Sequence, residues 1–117
     1  MQEYQLLNNG DDCETTLKIK DKDGVIIIND TEVNQLIDFQ VTYYTTPQYE
    51  FIVGRTNGIL TENCKVIGDT VHVYINDFNW GKKDRAIVKV KVAWPDSNYS
   101  DGQKSVSYKT YSKLKIV

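Results

Sequence analysis

Apolar and polar residues alternate along most of this chain. Leu17 and Ile19 alternate with Lys18 and Lys20, and Phe39, Val41 and Tyr43 alternate with Gln40, Thr42 and Tyr44. Val71, Val73 and Ile75 are interleaved with His72 and Tyr74. A period of two puts successive side chains on opposite faces of a strand, so each run predicts a half-buried β-strand. The clearest is Val88, Val90, Val92 and Trp94, ended by Pro95, which has no N–H for a ladder. Phe51 and Val53 share a face before Gly54. Val106, Tyr108, Leu114 and Ile116 share another, with Lys109, Lys113 and Lys115 opposite.

Turn-forming clusters separate these runs: Asp21 to Gly24, Asn57-Gly58, Ile67 to Asp69, Asn76 to Gly81 and Asp96 to Gly102. Val25 to Ile28 reads as a further strand after the first of these turns. Seven or eight short strands at intervals of roughly 8–12 residues predict an all-β antiparallel sandwich, immunoglobulin-like, with a jelly-roll as the alternative. Parallel sheets would need continuous apolar runs and intervening helices. A helical turn is expected only between Asp30 and Ile37, where Thr31 could cap and Val33, Leu36 and Ile37 have helical spacing. Trp94, in phase with three inward valines, is expected to be the central core aromatic.

At 117 residues the chain is one domain with enough surface to bury for a core of its own. The longest aliphatic run, Val25 to Ile28, is far too short for a transmembrane helix, so no membrane insertion is expected. No signal peptide is seen. Residues 1–14 hold four acids and no base, which suggests a flexible acidic arm ordered only by a partner, preceding a sandwich over 15–117.

The net charge of −2 hides an asymmetry: residues 1–80 balance to −8 and residues 81–117 to +6. The late lysines alternate with valines, as in Val88-Lys89-Val90-Lys91-Val92, so they belong to a solvated strand face rather than a basic tail. With a pI near 5.3 no nucleic-acid partner is expected. Unlike faces of neighbouring subunits could instead meet.

Catalytic and metal chemistry find little purchase. His72, the lone histidine, lies outward between Val71 and Val73 with no nucleophile motif beside it, so no catalytic residue is assigned. Cys13 and Cys64 have no zinc-ligand spacing; Cys64 reads as a small buried hydrophobe and Cys13 as exposed. Asp96 to Gly102 and Asp21 to Gly24 fail the calcium-loop pattern and read as turns whose Asp side chains bond their own backbone. No metal and no cofactor is expected. The candidate contact residues are aromatic: Tyr44, Phe78, Trp80, Tyr99 and Tyr111, as sugar-stacking platforms or interface anchors. Trp80, in the loop Phe78-Asn79-Trp80-Gly81, could equally be a plug closing one end of the sandwich.

The order of Lys20-Asp21-Lys22-Asp23-Gly24, Asp38-Phe39-Gln40-Val41-Thr42-Tyr43, Asn63-Cys64-Lys65-Val66-Ile67-Gly68-Asp69-Thr70-Val71 and the late stretch Trp94-Pro95-Asp96 to Tyr99-Ser100-Asp101-Gly102-Gln103 resembles the immunoglobulin-like N-terminal domains of tailed-phage baseplate and fibre proteins, those of Bacteroidetes phages and prophages above all. The resemblance runs from about Thr15 to Val117. It implies a virion structural protein, such as a head-fibre, baseplate or tail-fibre adaptor module, made in the host cytoplasm. Such a protein docks an appendage, assembles with other virion subunits as a homo-oligomer, and carries no catalytic residues. Those domains usually precede a long fibre, so the chain is expected to be a cut domain or a small stand-alone subunit. The alternative is a carbohydrate-binding or receptor-binding sandwich that meets a host surface glycan through Trp80, Tyr99 and Tyr44.

Overall fold

A computed structural model describes residues 4–31 and 37–117, and among these the regular structure is entirely β. The strands are β1 (Gln5–Leu7), β2 (Cys13–Leu17), β3 (Asp38–Tyr44), β4 (Phe51–Thr56), β5 (Ile59–Leu60), β6 (Cys64–Ile67), β7 (Thr70–Ile75), β8 (Arg85–Pro95) and β9 (Gln103–Ile116). They form a six-stranded sheet in the order β1-β9-β8-β3-β4-β5 and a three-stranded sheet in the order β2-β7-β6. All pairings are antiparallel except β1 with β9. The molecule is a β-sandwich. The expected helical turn between Asp30 and Ile37 falls largely on residues outside the described ones.

The core is where the period-two pattern placed it. Phe39, Val41 and Tyr43 of β3, Val53 of β4, and Val88, Val90 and Val92 of β8 are buried on the inner face of the large sheet. Val71, Val73 and Ile75 of β7, with Cys64 of β6, answer them from the small one. Gly54 is fixed by close approach: a Cβ there would lie 2.1 Å from the Phe39 carbonyl oxygen of the paired strand. The two-residue turn Asn57-Gly58, both at positive φ, joins β4 to β5, and the Asp38 carboxylate accepts both of its N–H groups.

Four sequence expectations change. Residues 5–14 are no free arm: β1 lies parallel against Leu114 to Ile116, Leu7 is buried, and β2 already begins at Cys13. Asp11 and Asp12, two of the acids that suggested an arm, sit in a tight connection, where the Asp11 side chain accepts the Asn8 N–H and that of Asp12 accepts the Asp77 N–H. Val25 to Ile28 contributes a single bridge, Ile26 to Lys20, because the Asp21 turn re-aims the chain. Ile28 still enters the core while Val25 is exposed. Cys13 is half-buried against the core rather than exposed, and both cysteines are free thiols flanking β7.

The fourth concerns the tryptophans. Trp80 is fully buried and is the largest side chain of the core, whereas Trp94 is half-buried and packs against the core from its margin. Trp94 does face inward with Val88, Val90 and Val92, but it stands where the large sheet has outrun the small one. β8 and β9 are 11 and 14 residues long against 4 to 6 in the small sheet. For the same reason Val106 is exposed although Leu114 and Ile116, on the same face of the same strand, are buried.

Candidate functional site

The overhang of β8 and β9 is the feature from which a site can be built. Their hairpin is closed by residues 96–102, where the Asp96 N–H donates to the Gly102 carbonyl and the Asp96 side chain accepts the Asn98 N–H. The Asp101 side chain accepts the Gln103 N–H. These are the self-bonded Asp turns expected from the sequence. The turn after Ile19 is built alike, with one Asp21 oxygen accepting the N–H groups of both Asp23 and Val25.

That Asp21 turn stands over the inner face of the overhang and leaves a groove of about 1070 Å³ between them. Val92, Trp94, Val106, Tyr108 and Thr110 line it from the hairpin, and Lys18, Lys20, Lys22 and Ile27 line it from the turn side. Asp21, Asp23, Asp96 and Lys104 complete the rim. Partial burial raises the Tyr108 hydroxyl pKa above its ordinary value, and the Lys20 backbone works in the opposite direction. Lys18 is paired with Asp69 at 3.5 Å across the exposed surface. An aromatic and aliphatic floor under a mixed, lysine-rich rim suits an extended amphipathic ligand.

The hairpin also has an uncovered edge. β9 pairs with β8 from Gln103 to Lys115, but on its other side β1 covers only Leu114 to Ile116. From Gln103 to Lys113 no strand pairs with that edge among the described residues.

The sequence-predicted contact residues do not form one site. Tyr99 is exposed in the tip of the β8–β9 hairpin. Tyr44 and Phe78 are half-buried at the opposite end of the sandwich, and Trp80 is buried there. Phe78 bridges Phe51 and Trp80 by edge-to-face contacts, with ring centroids 5.4 and 4.8 Å away. Trp80 is thus the end plug, and its burial withdraws it as a sugar platform or interface anchor. Tyr111 is exposed on the outer face of β9, where the Arg85 guanidinium lies 4.8 Å from its ring and 5.0 Å from that of Tyr4. Strand phase alone sends both groove residues, Trp94 and Tyr108, toward the core. Both pack against the core and are only half-buried; the signal for their open side is length, two long runs closing on Asp96 to Gly102 against short runs elsewhere.

Other reactive groups are held structurally. His72 lies on the outer face of the small sheet with Nδ1 2.8 Å from Glu14 Oε1, and that hydrogen bond lowers the Glu14 pKa. Burial raises the thiols of Cys13 and Cys64, the latter to about 11. Arg55 is buried, donating from Nε and Nη2 to the Ile37 carbonyl at 3.1 and 2.6 Å with its guanidinium over the Phe39 ring. Nothing in the alternation of β4 announced a buried arginine. Among the described residues no group of three or more His, Cys, Asp or Glu side chains could hold a metal ion. No family model, curated protein or solved structure gives a significant match to the chain.

Proposed function

We propose that this chain is a non-catalytic assembly module of a phage virion, which docks an appendage or neighbouring subunit through the overhanging β8–β9 hairpin. The observation that carries the docking part is the hairpin itself: one face, with Trp94, Val106 and Tyr108, is only partly covered by the Asp21 turn, and one edge, Gln103 to Lys113, pairs with no strand among the described residues. Apolar surface and unpaired backbone together are what a protein partner can bury, and natural sheets ordinarily shield such edges. The virion part is supported by the likeness of the turn and strand-edge motifs to baseplate and fibre domains. Mass spectrometry of purified particles from cells producing the phage tests it: the chain should copurify in stoichiometric amount, and its absence from particles overturns the reading.

A glycan-binding reading is favoured by one observation, the presence of both Trp94 and Tyr108 in the lining of one open groove. It moves the stacking platform from Trp80 to Trp94. Screening the chain and its Trp94→Ala variant on bacterial surface polysaccharides separates the readings, because only glycan recognition requires a signal that disappears with Trp94.

A further inference from the structure

We propose that the free edge of β9, from Gln103 to Lys113, takes an extended acidic segment of a partner protein as an added strand. This rests on the reading of the hairpin as the docking surface and names the chemistry of what docks. The edge runs for roughly 35 Å at the rise of a strand, long enough for a full additional strand rather than a glancing contact. Its backbone N–H and C=O groups on that side face no other strand among the described residues.

Charge selects the occupant. Between Gln103 and Lys113 there are three lysines, Lys104, Lys109 and Lys113, and no acid. Behind the edge, Lys89 of β8 stands directly opposite Lys109, an arrangement that repels across a strand pair. Among the described residues no salt bridge reaches Lys89, Lys104, Lys109 or Lys113. An acidic side chain on an added strand would lie on the far side of Lys109 from Lys89 and relieve that repulsion. A second copy pairing β9 with β9 would instead bring three lysines from each chain to one seam without an acid between them. Nucleic acid matches the sign but offers no peptide N–H and C=O ladder to the edge. The pleat sets the partner's pattern. Alternate residues of the added strand would continue the row of Val106 and Tyr108 toward the groove, favouring apolar types there. The residues between them would meet the lysine face.

The test uses the intact chain and synthetic peptides of about nine residues: alternating Glu and Val, alternating Lys and Val, and the Glu-Val peptide N-methylated at alternate residues. Amide hydrogen exchange is read along β9. The Glu-Val peptide should slow exchange at alternate amides between Gln103 and Lys113 by about ten-fold or more, and the other two should not. Lys109→Glu, checked for unchanged circular dichroism, should weaken Glu-Val binding by about ten-fold. The charge-conserving Lys109→Arg should keep it. Equal protection by the Lys-Val or N-methylated peptide overturns the proposal. So does protection that grows with protein concentration alone, which would mark a second copy, or protection produced only by a DNA oligonucleotide. Loss of the chain from particles would leave a positive peptide result intact, so the two readings fail separately.

Discussion

Asn9 and Trp80 are joined by a 2.6 Å hydrogen bond in which the Trp80 backbone N–H donates to the Asn9 side-chain oxygen. The contact spans 71 residues of sequence and ties the N-terminal segment to the loop that plugs one end of the sandwich. Around it the Gly10 N–H donates to the Phe78 carbonyl, and the Asn9 amide nitrogen donates to the Asn79 side chain at 3.2 Å. On the other side of the loop, the Thr45 hydroxyl reaches the Trp80 and Lys82 carbonyls. A loop carrying the largest core side chain is thereby held from two directions.

The first prediction follows from that clamp. Leu7→Ala should cost about 2–5 kcal/mol as a buried leucine truncation, and Asn9→Ala about 1–3 kcal/mol by leaving the Trp80 N–H without its acceptor. Chemical denaturation of each variant measures both. Amides of β1 should be protected from exchange in the isolated chain, and full exchange there within the dead time would contradict the docking of this segment.

A second prediction concerns the seam between β8 and β9. Between Arg85 and Ile87 on β8, the paired residues on β9 run from Lys115 to Tyr111, so β9 accommodates two additional residues. An even number preserves phase, which is why Ser112, Leu114 and Ile116 remain inward. The Ser112 hydroxyl donates to the Ala86 carbonyl at 2.8 Å and accepts the Leu114 N–H at 3.1 Å, closing the irregularity. Ser112→Ala should cost about 1–3 kcal/mol because two backbone groups lose their partner in a buried place. Ser112→Thr should keep the hydrogen bonds and lose less, and equal stability of the Ala variant would remove this account.

The third prediction is alkaline. Burial pushes the Cys64 thiol from 9.0 up to about 11, and the Tyr43 hydroxyl is raised for the same reason. The unfolded chain releases these protons at lower pH than the folded one. The Cys64 contribution is therefore whole below about pH 9 and is lost as pH rises through about 11, while that of Tyr43 is whole below the ordinary phenol value of 10.0 and is lost at still higher pH. Denaturant midpoints should fall across that interval, and Cys64→Val should flatten the fall. A midpoint independent of pH over the same interval would contradict the assignment.

The legible part of this fold was the part governed by strand phase. Phe39, Val41 and Tyr43, Val71, Val73 and Ile75, and the valines of β8 all point where alternation sends them, and the Asp21, Asn57 and Asp96 turns form at their marked residues. What alternation cannot express is whether another layer lies above a given face. Trp94 and Val106 are in phase with buried neighbours, yet Trp94 is only half-buried and Val106 is exposed, so the groove they line was hidden by a rule that reads one strand at a time. Composition misled over residues 5–14, where acidic, Asn-rich sequence suggested solvation but supplied turn acceptors instead. Arg55 was hidden because its acceptor, the Ile37 carbonyl, is a backbone atom that no side-chain pattern reports.

The last prediction sets the two tryptophans against each other. Trp80 is fully buried in the core with Phe78 edge-to-face against it, while Trp94 forms part of an open groove wall. Trp80→Ala should cost about 3–5 kcal/mol, as truncation of a buried large aromatic does. Trp94→Ala should cost less than Trp80→Ala, since Trp94 is half-buried where Trp80 is fully buried, and less surface returns to water when it is cut back. The Trp80 indole N–H is buried with no hydrogen-bond partner among the described residues. Trp80→Phe therefore removes a desolvated donor along with some volume, and should fall well short of the alanine loss. The two residues should also differ in fluorescence, with quenching by iodide confined to Trp94. Larger destabilisation by Trp94→Ala than by Trp80→Ala, or iodide quenching that survives Trp94→Phe, would reverse the assignment of core and groove.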